Sequence, residues 1–479
     1  MRSLFTCTHA KSRPQLTALL AAFTATAGLA LGQNSSADTL LDIYQLALDN
    51  DPTLQSAEAS YRAGDTIREQ ARAALLPQLE GNFSYQDSDN NQNASFSLTG
   101  EGPTENESES ESYSLTLSQN VINLPAIFGY RQSKAIAKQS LLQFGVAEQD
   151  LIVRVAEAYF DVLRGIDNLA SAKAEEKAIA QQLEQTQQRY EVGLIAITDV
   201  HEAQAAYDLA IANRLTEEVS LGIAREALAA ITGQAHPNLH TLALDFPVTK
   251  PAPADADAWV NFATQNNLSI KLAEQLLAAA NENRKVKNFE AAPTVEAIAS
   301  HNKSDSDENI VPRDPSKSPR DSFRNIEGTT VELRINVPIF SGGARHAERK
   351  QAGYERVAEQ ANLVATKRQV LQDTRSSYLT TVTDTARVQA RKRAITSAQS
   401  ALDATEAGYD AGTRNIVDLL NAQRDLYRAQ RDYANTRYDY VINSLRLKQA
   451  AGTISAKDIN DINQWLRTPN GVSISNNPA

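Results

Sequence analysis

Two distant stretches of this sequence are near-doubles: RYEVGLIAITDVHEAQ, from Arg189 to Gln204, and GYDAGTRNIVDLLNAQ, from Gly408 to Gln423. Aligned without a gap, they share a tyrosine, a glycine, an aspartate and a glutamine at the same positions. In both, the glycine lies between two helix-forming segments, where a chain that reverses direction needs backbone freedom. We therefore predict two helical hairpins, with tips near residues 190–199 and 409–418.

The segments around the two tips follow one plan: helix, strand, polar loop, strand, long helix, turn, long helix. The plan predicts two repeats, residues 38–250 and 251–466, with β-hairpins at 78–122 and 294–338. Apolar residues alternate with polar ones in the strands. A proline, which cannot donate to a strand ladder, stands at every predicted helix–strand junction. These junction residues are Pro77, Pro125, Pro293 and Pro338.

The predicted strands have about ten residues each, the length that a tilted strand needs to cross a bilayer. Four strands per chain cannot close a barrel, and an open sheet edge cannot lie in lipid. A membrane location would therefore require an oligomer, with eight strands from two copies or twelve from three. Two soluble β-hairpins on a coiled-coil rod are the alternative.

The helix after the first hairpin is predicted to be unusually long, because residues 126–190 contain no proline. At 1.5 Å per residue this segment would measure roughly 100 Å, which indicates a coiled coil. Its apolar seam has alternating steps of three and four residues, the heptad period. The seam residues are Ile152, Val155, Tyr159, Val162, Ile166 and Leu169. An ordinary antiparallel coiled-coil pair would explain these helices equally well.

Residues 1–37 read as a secretory signal: three basic residues precede a short apolar run that ends in small residues. The only cysteine, Cys7, lies within it, so the mature chain is predicted to lack disulfides. The net charge of −11 would become −14 without the signal, which disfavours nucleic acid as a partner. We expect no membrane-spanning helix after the signal, and a disordered tail at 467–479.

The duplicated plan resembles the TolC family of outer-membrane channel-tunnels, over about residues 38–466. Three motifs carry the resemblance: NVPIFSGG at 336–343, VGLIAITDV at 192–200 and YDAGTRNIVDLLNAQ at 409–423. The resemblance implies a mainly α fold with a β-barrel membrane part, namely a homotrimer whose twelve strands form one barrel above a long α-helical tunnel. It also implies a passive exit duct for type I secretion or multidrug efflux. Its implied partners are a periplasmic adaptor, an inner-membrane ABC or proton-driven pump, outer-membrane lipid, and protein or small-molecule cargo.

The same resemblance implies roles for residues at the two tips. Tyr409 and Arg414 of the second tip match family residues that bond to a Thr-Asp pair, here Thr198 and Asp199, partly across subunits, and so close the periplasmic end. Helix-end packing of Tyr409 and Arg414, and a helix-capping role for Asp199, are the alternatives. Asp418 matches the first of two acidic rings at the constriction. The second ring position is Asn421, and Ala411 stands where the first tip has Val192; both are departures. Turn and adaptor-contact roles are implied for Val192, Gly193, Leu194, Ala411, Gly412 and Thr413.

Two other classes of function compete with the duct. A secreted coiled-coil structural or adhesive protein without a pore would need neither strands of membrane length nor four matched prolines. An enzyme is disfavoured, because Pro237 spoils the one closely spaced histidine pair, His236 and His240, and no cysteine remains after the signal to act as a nucleophile. We predict neither a cofactor nor a metal site.

Overall fold

The computed structural model describes residues 37–92, 104–312, 314 and 316–468. The predicted signal segment, except for Ala37, lies outside the described residues. So does the predicted tail beyond Thr468.

The described chain is mostly helical, and two very long helices dominate it. α3 has 68 residues and α7 has 67, so each measures about 100 Å at 1.5 Å per residue. The helices are α1 (Leu40–Asn50), α2 (Pro52–Ala73), α3 (Leu124–Glu191), α4 (Ile197–Thr232), α5 (Ala256–Asn266), α6 (Leu268–Phe289), α7 (Ala344–Asp410), α8 (Ile416–Ala450) and α9 (Ala456–Asn463). α3 begins and ends within two residues of the predicted proline-free segment.

Four long strands form one antiparallel sheet in the order β1-β2-β4-β5, and a second sheet has only two short strands. The strands are β1 (Gln78–Gln92), β2 (Thr104–Ile122), β3 (Thr241–Leu242), β4 (Thr294–Pro312), β5 (Arg320–Asn336) and β6 (Leu466–Arg467). The long strands have 15 to 19 residues rather than the predicted ten or so. They continue through most of the predicted polar loops, because both members of each hairpin pair residue by residue.

One face of the long sheet is apolar and exposed over its part next to the helices. The pairing register aligns Leu79, Leu117, Ala299 and Val331 in one row across all four strands. Side chains alternate between the faces of a strand, so the residues between these lie on the opposite face. That opposite face is rich in serine, threonine and asparagine. The sheet therefore has the two-sided character that the sequence predicts.

The prolines stand where helices meet strands. Pro77 and Pro293 directly precede β1 and β4, and Pro338 follows β5. Pro125 lies in the first turn of α3, where its missing N–H costs no hydrogen bond. Ile122 is the last residue of β2, so Pro125 lies three residues beyond that strand, within the helix.

The helices form a layer in which α2, α3, α6 and α7 are successive neighbours near the sheet. Further from the sheet, α3 pairs with α4, α7 pairs with α8, and α3 also contacts α8. The main hydrophobic core joins α3 and α8 to α1 and α9, around buried residues such as Tyr159, Phe160 and Leu445. No helix within the described ranges has an apolar stretch long enough to cross a membrane.

Candidate functional site

The two tips at the ends of the long helices have the same backbone geometry. Gly193 and Gly412 have φ of 76° and 71°, in the left-handed region that favours glycine. The N–H after each glycine donates to a carbonyl five residues earlier: Leu194 to Arg189 and Thr413 to Gly408. These bonds satisfy carbonyls at the helix end and reverse the chain. The two similar stretches of sequence therefore form turns of the same structure.

Each returning helix starts with an aspartate in its first turn, where the helix dipole favours negative charge. At the second tip the Asn415 side chain caps α8 by accepting from the Asp418 N–H at 2.8 Å. The first tip has no side-chain cap, because Ala196 occupies the equivalent position. Thr198 is exposed and Asp199 is half-buried, with 3.5 Å between the hydroxyl and a carboxylate oxygen.

The first tip presents apolar side chains to solvent. Val192 is 70% exposed and Leu194 is 72% exposed. The corresponding residues of the second tip, Ala411 and Thr413, are also exposed but offer much less apolar surface. A partner that docks on these tips would therefore find its main apolar contacts on the first.

The predicted latch residues are not joined within one chain. Arg414, in the turn before α8, lies 3.7 Å from Asp418 in the first turn of that helix, and no bond between described residues links Arg414 to Thr198 or Asp199. Tyr409 is buried, and its hydroxyl has no hydrogen-bond partner among the residues that the structure describes. Because this hydroxyl is buried within its own chain, it is not accessible to a neighbouring copy in this conformation.

A tip contact that sequence reasoning missed is the ion pair between Arg189 and Asp410. Their closest atoms are 2.7 Å apart, so the end of α3 is tied to the end of α7. The hydrogen bond to Asp410 is the main reason that the pKa of Arg189 is raised. The Arg189 guanidinium also lies 5.0 Å from the centre of the Tyr409 ring. The sequence offers one signal for this contact. Of the two similar stretches, only the first begins with a charged residue, because Arg189 aligns with Gly408.

Beyond the tips, a cavity of about 380 Å³ lies between α3, α4 and α8. Asn421 lines it, together with Arg424, Glu202 and the buried Glu175. Burial raises the pKa of Glu175, and nearby arginines of α8 oppose that shift. Asn421 therefore has both positive and negative neighbours. Within the described ranges, no group of three or more potential metal ligands comes together.

This sheet, joined to helices about 100 Å long that end in paired tips, defines a class of protein: the outer-membrane channel subunits. A family model described as outer membrane efflux protein matches residues 43–234 and 259–453, and the chain belongs to this family.

Known relatives agree with this assignment. The chain is 35% identical to the outer membrane protein TolC of Vibrio cholerae serotype O1, over 91% of this chain and 97% of that relative. It is 30% identical to the alkaline protease secretion protein AprF of Pseudomonas aeruginosa, over 90% and 88%. The solved structure of the outer membrane protein VceC from Vibrio cholerae has a TM-score of 0.69 at 19% identity, covering 86% of this chain and 96% of that one, and supports the fold.

The protein is therefore an outer-membrane efflux or secretion channel whose helical part lies in the periplasm. The family is one of channels and not of enzymes. The sequence also allowed a secreted fibre without a pore. Membership of a family of channels argues against that alternative.

Proposed function

We propose that three copies of this chain form one tunnel, with a twelve-stranded barrel in the outer membrane and a helical barrel in the periplasm. The observation that carries this proposal is the open sheet: β1 and β5 each have one strand neighbour among the described residues. An open edge is too costly in lipid, so the sheet needs further strands. Three sheets of four give a closed barrel of suitable size. In this proposal residues 38–250 and 251–466 are structural repeats.

Exposed apolar residues on the helices support the same assembly. They lie on α4 and α7. These residues are Leu209, Leu215, Val219 and Ile223 on α4, and Tyr354, Val357, Val364 and Leu379 on α7. A neighbouring copy that packs on both helices would remove this surface from water.

The proposed tunnel is a passive exit duct. A periplasmic adaptor would dock on the tips through Val192, Gly193 and Leu194, and through Ala411, Gly412 and Thr413. An inner-membrane ABC or proton-driven pump would supply the energy. The relatives' names cover both cargo classes, protease secretion in two cases and efflux in another. The cargo is accordingly a protein, a small molecule or both.

The proposed gate is a set of links between neighbouring copies at the tips. Arg414 and Tyr409 of one copy would bond to Thr198 and Asp199 of the next, and a guanidinium can hold a carboxylate and a hydroxyl together. One observation favours this arrangement: Arg414 is exposed and has only a long ion pair in its own chain. Exposed links of this kind are worth roughly 1 kcal/mol each, so an adaptor could release them.

The Arg414→Ala variant in a planar bilayer tests the duct and the gate together. Removing three links of roughly 1 kcal/mol each should lower the closed-to-open ratio on the order of 100-fold. We expect a small conductance for the wild type and a clearly larger one for the variant. Arg393→Ala, which removes an exposed arginine of α7 far from the tips, is the matched control and should behave like the wild type.

The outcomes separate the two parts of the proposal. Equal conductance of wild type and Arg414→Ala would keep the duct but assign Arg414 to helix packing. Folded protein that forms no channel in either form would contradict the duct itself.

The Asn421→Asp substitution should strengthen block by trivalent cations. With Asn421, a trimer carries three Asp418 carboxylates at the proposed constriction; with aspartate it would carry six. At effective dielectric constants typical of protein surfaces, the added charges contribute about 1–2 kcal/mol, so the blocking concentration should fall roughly tenfold. Asn421→Gln is the neutral control. Unchanged block in Asn421→Asp would show that this position does not face the ion path.

A further inference from the structure

An exposed stripe with three basic residues between two apolar ones follows α3 just below the sheet. Its members recur at steps of four and three residues, so they lie on one face of the helix. They are Ile127, Arg131, Lys134, Lys138 and Leu141. The adjacent part of α6 adds Arg284 and Lys285, and a cavity of about 540 Å³ lies between the two helices.

The positive charges around this cavity are largely unneutralised. Arg131, Lys134, Lys138 and Arg284 form no ion pair with any described residue, and Lys285 pairs with Glu282 at 2.5 Å. Glu282 is the only carboxylate that lines the cavity among the residues the structure describes. Two of the cations instead make cation–π contacts with aromatic rings. Lys134 lies 4.5 Å from the centre of the Tyr130 ring, and Arg131 lies 5.3 Å from that of Phe128. The cavity is thus suited to an anion.

The cations lie just below an apolar layer at the junction of sheet and helices. Ile339 and Phe340 are 93% and 87% exposed there, and Phe128 stacks on Phe289 with ring centres 5.0 Å apart. Arg131 follows Phe128 by three residues, or about 4.5 Å along the helix. The polar headgroup layer of a bilayer is about 5–8 Å thick on each side. With the apolar layer at the hydrocarbon boundary, the cations reach the depth of lipid phosphates.

The stripe also faces away from the proposed lumen. Steps of seven residues lead from Lys134 through Leu141 to Glu148. Seven residues further on, Val155 is buried in the same core cluster as Leu40 and Tyr44, so α1 packs on this side of α3. If this side of α3 faced the tunnel, α1 would lie inside the tunnel and obstruct it. On the outside there is room for α1. The basic cavity therefore opens on the outer surface, toward lipid.

We propose that this cavity binds the phosphate headgroup of an anionic phospholipid in the periplasmic leaflet of the outer membrane. The proposal rests on the membrane position that belongs to the proposed function. Arg131, Lys134 and Lys138 of α3, with Arg284 of α6, hold the phosphate, and the aromatic layer contacts the first acyl carbons. The bound lipid fixes the height of the barrel at the point where strands become helices.

Native mass spectrometry of the full mature protein tests the site, with equimolar phosphatidylglycerol and phosphatidylcholine of the same acyl chains. We expect the wild type to retain phosphatidylglycerol preferentially. A lysine near an anionic surface contributes about 1 kcal/mol, so the double variant Lys134→Gln, Lys138→Gln should reduce that preference roughly tenfold or more. The control Lys173→Gln, Lys177→Gln removes two exposed lysines of the same helix at the same spacing and should leave the preference unchanged.

Three results would overturn the proposal: no lipid preference in the wild type, equal loss in the test and control variants, or displacement of the lipid by millimolar inorganic phosphate alone. Conductance of the same variants in phosphatidylcholine bilayers is an independent readout. Absence of channels together with an intact phosphatidylglycerol preference would count against the duct and not against the lipid site.

Discussion

Replacement of Gly452 by alanine is expected to destabilise the fold more than any other single methyl addition at a turn. Gly452 has φ of 70° and follows the end of α8. A Cβ there would lie 2.6 Å from backbone atoms of Asn266 and Asn267. Neither can retreat easily, because Asn267 caps α6 and its side chain donates to the Ala450 carbonyl at 2.9 Å. Steric overlap and left-handed strain together should cost about 3 kcal/mol or more.

The Gly452→Ala measurement is the thermal unfolding midpoint and folded yield of the detergent-solubilised protein. Gly412→Ala is the matched control, because Gly412 has nearly the same φ but nothing within 4 Å of its added Cβ. That control should lose only about 1 kcal/mol, the cost of the left-handed conformation. Equal losses in the two variants would show that the close approach of Gly452 to α6 does not matter.

Features set by local sequence could be predicted. The two tips follow from glycines in matching segments, and the ends of α3 follow from a proline-free, heptad-patterned run. The strand lengths could not be predicted, because residues 104–112 are nearly all polar and show no apolar alternation. They form a strand because the neighbouring chain segments provide partners, as in the 2.7 Å contact between the Ser84 and Ser112 hydroxyls. Such pairing is a non-local property.

The same reason explains the missed small elements. β3 and β6 pair although more than 200 residues separate them, and neither has enough residues for a detectable pattern. The break between α1 and α2 does have a local signal, Asp51 followed by Pro52, although the predicted plan has a single helix before the first β-hairpin. Of the candidate site, the tip geometry was predictable from one chain. The gate links stay a prediction, because they would join different copies.

Among the ion pairs, loss of the Asp51 charge should lower the free energy of unfolding the most. Asp51 is 1% exposed and caps α2 by accepting from the Leu54 N–H at 2.7 Å. Arg154 donates to both of its carboxylate oxygens, at 2.8 and 3.3 Å. In Asp51→Asn the cap can persist, but Arg154 loses its buried counter-charge. Breaking a buried pair in this way costs about 3–5 kcal/mol, and because Arg154 is partly exposed we expect about 3 kcal/mol at pH 7.

The pH dependence gives an independent check of the Asp51 prediction. Burial raises the pKa of Asp51, but the bonds from Arg154 and Leu54 outweigh burial, so the net direction is downward. A lowered folded-state pKa adds stability above the unfolded value of about 3.9, and that stability is lost as the pH falls through the folded-state pKa. The stability difference between the wild type and Asp51→Asn should therefore narrow as the pH falls below about 4. Glu58→Gln, which breaks the exposed pair with Arg62, should cost less than about 1 kcal/mol. Parallel pH profiles for Asp51→Asn and the wild type would mean that the Asp51 charge contributes nothing to folding.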